Sequence, residues 1–172
     1  GEEDELSIRE STEALVDIAS GLGELHDKGI VHRDIKPKNI LIEREAGKAF
    51  IVDLGTSASV EERVKDFSGS PLYMSPEAFK KEEQNTSSDL YGFGLMADEL
   101  FSSEIPGWDK SKIRGFEGRM LGDITVNEDR YPLHMPLQAR EKIADLVNSC
   151  LKLDPAQRIT AKEARKQLSA VL

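Results

Sequence analysis

A polar stretch of eight residues separates two short apolar runs, and it reads His32-Arg33-Asp34-Ile35-Lys36-Pro37-Lys38-Asn39. Ile30-Val31 precedes the stretch and Ile-Leu-Ile at 40–42 follows it, and both apolar runs favour short β-strands. Upstream, apolar side chains recur at helical spacing from Ile8 to about Asp27, and Gly29 follows as a stop signal. The sequence therefore predicts a helix, a strand, a polar loop and a second strand.

Most of the remaining chain is predicted to be helical. A third strand-like run at 50–52 completes a small sheet. The apolar residues of 54–87 show no helical or strand periodicity, which indicates a long loop without further strands. An apolar helix begins near Asp89. Further helices are expected at 111–120, 137–151 and 160–170. Residues 1–7 are acidic and are expected to fray, so the predicted fold class is mainly α with a small β-sheet, formed by residues 8–172.

Three more motifs follow the polar stretch in order. Asp53-Leu54-Gly55 stands at the end of the third predicted strand. Residues 69–77 read Gly-Ser-Pro-Leu-Tyr-Met-Ser-Pro-Glu, and residues 151–158 read Leu-Lys-Leu-Asp-Pro-Ala-Gln-Arg. Asp-Leu-Gly alone is a common strand-to-turn sequence, and it gains meaning only from its position after the polar stretch.

Together, the four motifs resemble those of the eukaryotic-type serine/threonine protein kinases. Residues 32–39 resemble the catalytic loop, and residues 53–77 resemble the activation segment, with Leu54 where the family has Phe and Ser75 where it has Ala. The resemblance covers residues from about 8 to 170 and implies a protein-kinase-like C-terminal lobe, or C-lobe. It implies phosphoryl transfer from ATP, with Mg²⁺, to serine or threonine hydroxyls of protein substrates.

The same resemblance implies roles for five residues. Asp34 would accept the proton of the substrate hydroxyl, and Lys36 would place a positive charge beside the migrating phosphate. Asn39 and Asp53 would bind magnesium, since both side chains offer hard oxygen ligands. Leu41 would pack under the adenine ring of ATP. Alternatively, Leu41 is a core residue of the strand and has no role in binding ATP.

Three contacts between distant residues are also implied. Glu77 is expected to form a buried ion pair with Arg158, and loss of either partner would strand a buried charge. Asp89, at the start of the apolar helix, is expected to hold the backbone of the catalytic loop. Ser70 is expected to contact the aspartate and the lysine of that loop.

Arg33 resembles the arginine of kinases that are regulated by phosphorylation of the activation segment, because an arginine there can pair with a phosphate. Asp66 lies where several relatives are phosphorylated. It either supplies the negative charge of that phosphate permanently or is a solvated acid in the loop. The hydroxyls that could be phosphorylated are Thr56, Ser57, Ser59 and Ser68.

Composition excludes several other classes of function. The net charge of −9 argues against nucleic acid or an anionic membrane as a partner. No apolar run is long enough to cross a bilayer, so no membrane insertion is expected. The single cysteine, Cys150, excludes an internal disulfide and a zinc site built on several thiolates, and it is interpreted as a small core residue. An intracellular location is expected, with the cytoplasm preferred over the nucleus or an organelle.

A glycine-rich phosphate loop is absent from the 172 residues. Gly21-Leu22-Gly23 and Gly92-Phe93-Gly94 both lie within predicted helices, where close packing explains them better. In the kinase family such a loop, a strand lysine and its glutamate partner belong to an N-terminal lobe, or N-lobe, that precedes the catalytic loop. We therefore expect an N-lobe, or a chain that replaces it, as a partner, and we expect these residues alone to be inactive.

Two other functions remain open. A kinase-derived scaffold of the pseudokinase type would bind partners without catalysis, and the lack of N-lobe motifs favours it. The presence of Asp34, Lys36, Asn39 and Asp53 favours catalysis instead, since a scaffold needs none of these groups. A small-molecule phosphotransferase of the kinase-like superfamily is a third hypothesis, and the motifs at 75–77 and 151–158 argue against it.

Overall fold

The structure is a computed structural model that describes residues 7–106 and 122–172. Helix α1 spans Ile8–Asp27 and starts at a capping box, in which the Ser7 hydroxyl accepts from the Glu10 N–H and the Glu10 carboxylate accepts from the Ser7 N–H. The predicted bounds of this helix are confirmed. The fraying predicted for residues 1–7 lies outside the described residues, except at Ser7, which caps the helix.

In the described residues, four short strands form two antiparallel pairs. Strand β1 (Ile30–Val31) pairs with β4 (Ala58–Ser59), and β2 (Ile40–Glu43) pairs with β3 (Lys48–Ile51). The prediction of a single sheet with no strand after residue 52 is therefore wrong. A strand of two residues shows no periodicity, and β4 exists because the chain returns to pair with β1.

Four more helices are described: α2 (Pro76–Phe79), α3 (Thr86–Ser102), α4 (Leu137–Cys150) and α5 (Ala161–Ser169). Helix α3 begins before the predicted start at Asp89, because the Asn85 side chain caps it by accepting from the Ser87 N–H at 2.9 Å. The mainly helical fold class is confirmed, and the helix predicted at 111–120 lies outside the described residues. No helix within the described ranges is long and apolar enough to span a membrane.

Helix α3 is buried along most of its length and forms the centre of the core. A methyl group at Gly94 would lie 2.5 Å from Cβ of Cys150, so only glycine allows α3 and α4 to approach this closely. Cys150 is fully buried, and its burial raises the pKa of the thiol to about 12. The interpretation of Cys150 as a core residue is confirmed.

The carboxylate of Asp98 fastens the other end of α3 to the chain that precedes α4. It accepts hydrogen bonds from Arg130 Nε at 2.7 Å and from the Tyr131 hydroxyl at 2.9 Å. Burial raises the pKa of Asp98 even though Arg130 acts to lower it. No motif in the sequence pointed to this cluster.

Glu77 and Arg158 form the buried ion pair that the resemblance implied. Arg158 Nη1 and Nη2 donate to the two carboxylate oxygens of Glu77 at 2.7 and 2.8 Å, and the Ser88 hydroxyl donates to the same carboxylate at 2.7 Å. The Arg158 guanidinium also lies 4.9 Å from the centre of the Tyr91 ring. Burial acts to raise the pKa of Glu77, but the hydrogen bonds and charge of Arg158 hold it below its usual value. The pair fastens the start of α2 to the segment before α5.

We predict that Glu77→Ala and Arg158→Ala will each lower the free energy of unfolding by about 3–5 kcal/mol, because each leaves an uncompensated buried charge. The double variant should lose less than the sum of the two single losses. Denaturant titration of the four proteins measures this coupling. The exposed pair Arg63–Glu83 is the matched control, and its removal should cost less than about 1 kcal/mol. Additive effects at Glu77 and Arg158 would show that the buried pair does not act as a unit.

Candidate active site

The 32–39 loop is held by one buried carboxylate, that of Asp89 in the first turn of α3. Asp89 Oδ1 accepts from the Arg33 N–H at 2.8 Å, and Oδ2 accepts from the His32 N–H at 2.9 Å. The ring nitrogen Nε2 of His26 lies 2.8 Å from the same Oδ2. Arg33 has a φ of +71°, an unfavourable conformation that these bonds stabilise. The contact of Asp89 with the loop was expected, whereas its contact with His26 was not.

His32 joins the loop to the strand that leads to Asp53. Its side chain is fully buried, and Nε2 lies 3.2 Å from the carbonyl oxygen of Val52. Nδ1 accepts from the Asp34 N–H at 3.3 Å, so the proton of a neutral ring belongs on Nε2. The Val52 N–H also donates to the Asn39 carbonyl at 2.9 Å. These bonds place Asp53, the next residue, beside the loop.

Three groups converge on the carboxylate of Asp34. Lys36 Nζ donates to Oδ2 at 2.5 Å, Asn39 Nδ2 donates to Oδ2 at 3.0 Å, and the Ser70 N–H donates to Oδ1 at 2.9 Å. Partial burial acts to raise the pKa of Asp34, but Lys36 and the Ser70 N–H outweigh it, so the pKa lies below its usual value. Asp34 is therefore an ionised carboxylate at neutral pH, with its orientation set by three donors.

Asn39 and Asp53 supply the oxygen atoms that could bind a cation. The Asn39 amide nitrogen also donates to the Asp34 carbonyl at 2.7 Å, so its amide oxygen is the atom available as a ligand. Asp53 is exposed, has a φ of +64°, and accepts from the Gly55 N–H at 3.1 Å. Among the described residues, no group of three or more His, Cys, Asp or Glu could hold a metal. Two protein oxygens fit magnesium, which usually keeps waters and substrate phosphates as its other ligands.

Leu41 does not belong to the strand core, because it is 56% exposed. In the register of β2 and β3 it lies opposite Phe50, which is 47% exposed. Val52 and Leu54 are exposed as well, at 37% and 51%. Leu41 and Phe50 form an exposed apolar surface that we call the β2–β3 apolar face, and Val52 and Leu54 flank Asp53 in sequence.

The 53–77 segment lies close against the loop at Gly69. Gly69 has a φ of +93°, and a methyl group there would lie 2.6 Å from the Arg33 carbonyl oxygen. This approach brings the Ser70 N–H to Asp34, and it brings the Ser70 hydroxyl to within 2.7 Å of Lys36 Nζ. The structure therefore brings Asp34, Lys36, Asn39 and Ser70 together, as the motifs predicted.

Comparison with known proteins identifies the family. The family model described as protein kinase domain matches residues 2–168, which is nearly the whole chain. The chain belongs to the protein kinase domain family. The assignment to this family agrees with the four sequence motifs taken together and with the geometry of the 32–39 loop.

Curated relatives of this kinase domain include several serine/threonine kinases. The probable serine/threonine-protein kinase gdt2 of Dictyostelium discoideum is 31% identical over 97% of this chain and 10% of its own length. The serine/threonine-protein kinase ATG1b of Arabidopsis thaliana is 31% identical over 87% of this chain and 21% of its own length. The calcium/calmodulin-dependent protein kinase type II alpha chain of Drosophila melanogaster is 30% identical, and the match covers 93% of this chain and 30% of that protein. The chain thus spans less than a third of each of these relatives.

We predict that Gly69→Ala will destabilise the protein by about 1–3 kcal/mol more than Gly47→Ala does. Both glycines have positive φ, but a methyl group at Gly47 meets nothing within 4 Å, so that variant isolates the conformational cost of roughly 1 kcal/mol. Denaturant titration gives the difference, and amide hydrogen exchange at Ser70 should accelerate only in the Gly69 variant. Equal costs at the two positions would show that the segment does not press on the Arg33 carbonyl.

Proposed function

We propose that this kinase domain transfers the γ-phosphoryl group of ATP to serine or threonine hydroxyls of protein substrates, as the C-lobe of a two-lobed site. The observation that carries the proposal is the carboxylate of Asp34, ionised and oriented by Lys36, Asn39 and the Ser70 N–H. The relatives named serine/threonine-protein kinase support the class of reaction. The sequence Asp34-Ile35-Lys36-Pro37 resembles the serine/threonine branch of the family, and Lys36 Nζ lies within hydrogen-bond distance of both Asp34 and Ser70.

Asp34 would act by orienting the substrate hydroxyl and accepting its proton. Its low pKa makes it a weak base, which suffices because the hydroxyl becomes acidic as its oxygen bonds to phosphorus and the bond to the leaving phosphate breaks. Lys36 would balance the charge that collects on the transferred group. Magnesium bound by Asn39 and Asp53 would neutralise the phosphates and hold them in position.

The β2–β3 apolar face is a surface on which a partner would pack. Leu41 and Phe50 lie opposite each other on the two strands, and their exposure favours contact with an apolar surface. An N-lobe, or a chain that replaces it, would bury this face, with the adenine ring of ATP placed on Leu41. The same face supports the second candidate, a scaffold without catalysis, since it would bind a partner equally well in the absence of ATP. The complete Asp34 cluster favours the catalytic function.

In the full-length protein that contains this chain, Asp53→Asn should lower phosphoryl transfer by roughly 100-fold or more, because it removes a charged magnesium ligand. The melting temperature should stay close to that of the wild type, since Asp53 is exposed and bonds only to the nearby Gly55 N–H in the described structure. Asp145→Asn, an exposed acid on α4, is the control and should retain full activity. A variant of Asp53 that melts far below the wild type would show that this residue is structural.

The 172 residues alone should show no measurable transfer, because they hold the triphosphate from one side only and positioning supplies most of the catalysis. The test incubates the purified chain with Mg²⁺, labelled ATP and a generic serine/threonine substrate. The full-length protein is the positive control. Turnover by the 172-residue chain that disappears in Asp34→Asn would contradict this prediction and would place the whole active site in these residues.

A further inference from the structure

Arg140 is a buried arginine near the start of α4. Only 9% of the residue is exposed, and its guanidinium donates one hydrogen bond within the described residues, from Nη1 to the Glu128 carbonyl at 3.3 Å. Its Nε is buried without a hydrogen-bond partner. Within residues 7–106 and 122–172 no carboxylate pairs with this cation. A buried charge without a counter-charge is strongly unfavourable, so Arg140 lacks the anion that its position calls for.

Arg130, in the turn before α4, shows how the same region satisfies a guanidinium. Its Nε donates to the buried carboxylate of Asp98 at 2.7 Å, and its Nη2 donates to the Glu104 carbonyl at 2.8 Å. The side chain of Arg130 is 24% exposed, so it needs a counter-charge less than Arg140 does, and yet it has one. The missing anion is therefore particular to Arg140.

The unused part of the Arg140 guanidinium has a shape that fits a carboxylate. Because Nη1 is directed at the Glu128 carbonyl, the edge formed by Nε and Nη2 donates no hydrogen bond to the described residues. That edge carries two parallel N–H groups, which bind the two oxygens of a carboxylate as a fork. A carbonyl or hydroxyl oxygen would leave half of the edge unpaired.

The N-terminus of α4 adds a second source of positive potential at this place. The helix is 14 residues long, its first turn contains no acid, and Pro136 at the N-cap provides no side-chain hydrogen bond. The free N–H groups of a helix N-terminus favour an anion. Helical side chains lean back toward the N-terminus, so the Arg140 side chain extends toward this helix end and reaches the Glu128 carbonyl that precedes it.

Exposed leucines lie in the chain beside this helix end. Leu133 is 83% exposed, more than any other large apolar residue that the structure describes, and Leu137 in the first turn of α4 is 52% exposed. Leu133 belongs to a turn that is closed by the Met135 N–H, which donates to the Pro132 carbonyl at 2.9 Å. A protein segment could cover these leucines, whereas a free inorganic anion would leave them in water.

The charge of the chain favours a carboxylate over a phosphate as the anion. The acids nearest to Arg140 in sequence are Glu128, Asp129 and Glu141, and none of them pairs with it. Together with the net charge of −9, they repel a doubly charged phosphate more strongly than a singly charged carboxylate. One guanidinium edge also matches one carboxylate in charge and in number of donors.

We propose that Arg140, the first turn of α4 and Leu133 form a docking surface for an acidic segment of a partner protein. The carboxylate of an aspartate or glutamate binds the Nε–Nη2 edge of Arg140, and apolar residues beside that acid cover Leu133 and Leu137. We call this the α4 docking surface. It concerns binding alone and does not depend on whether the domain transfers phosphate.

The binding test presents the full-length protein with arrays of random heptapeptides whose central residue is glutamate, glutamine or phosphoserine. The proteins compared are wild type, Arg140→Met, Arg140→Lys and Arg165→Met. Arg165, an exposed arginine of α5, is the matched control. The affinities of selected peptides are then measured by fluorescence anisotropy at constant ionic strength.

The wild type should select glutamate peptides with apolar neighbours and bind them about tenfold or more tightly than their glutamine counterparts, the size expected for one charged hydrogen-bonded pair. Arg140→Met should lose this preference, and Arg140→Lys should lose most of it because an ammonium group has no fork. Arg165→Met should match the wild type. Phosphoserine peptides should bind no more tightly than glutamate peptides.

Denaturant titration without peptide separates docking from a structural role. Arg140→Met should keep or raise the midpoint of unfolding, because an apolar side chain replaces an unpaired buried charge. Arg130→Met is the contrast and should lower the midpoint, because it leaves the buried Asp98 carboxylate without its arginine. If Arg140→Met unfolds as early as Arg130→Met, Arg140 is structural and the proposal fails.

Leu133→Ser tests the apolar part of the α4 docking surface in a variant whose folding is not in question, since Leu133 is largely exposed. It should weaken the binding of the selected glutamate peptides severalfold, while Leu172→Ser, at another exposed leucine, should not. Three results would overturn the proposal: no preference of the wild type for glutamate over glutamine, the same preference in Arg140→Met, or tighter binding of phosphoserine peptides.

Discussion

The buried carboxylate of Asp89 is the interaction on which the site depends. It accepts from the backbone N–H groups of His32 and Arg33 and from the ring of His26, so its charge is satisfied without water. The bonds from the His32 and Arg33 N–H groups to this carboxylate stabilise the positive φ of Arg33. Since Asp89 belongs to α3, the position of the loop is set by the most buried helix of the fold.

Helix α3 connects the core to the site through two glycines. A methyl group at Gly92 would lie 3.0 Å from the Ile35 carbonyl and 3.3 Å from the Tyr73 carbonyl, and Gly94 faces Cys150 on α4. One face of the helix therefore contacts the 32–39 loop and the 53–77 segment, while another packs in the core. Because α3 is held in the core, its contacts with the loop and the segment help to fix the groups around Asp34, which suits a reaction that depends on positioning.

The charges of the site are paired within a protein that is acidic as a whole. Lys36 faces Asp34, Arg33 faces Asp66, and Arg158 faces Glu77, so each of these three cations has a carboxylate that comes from the loop or from the segment. Two of these pairs join the 53–77 segment to other parts of the chain. The Arg158–Glu77 pair fixes the end of the segment, because a shift there would separate charges that are shielded from water.

Sequence alone predicted the helices α1, α4 and α5, most of α3, the order of the motifs and the grouping of Asp34, Lys36 and Asn39, because periodicity and short spacings are local properties of a chain. It also indicated the Glu77–Arg158 pair, although only through the family resemblance. It did not predict the short helix α2. Strand β4, the His26–Asp89 contact and the cluster around Asp98 were not predicted. Each joins groups that are far apart in sequence, and each involves too few residues to leave a periodic pattern. The fold decides such contacts, because burial brings those groups together and then requires that every charge and donor find a partner.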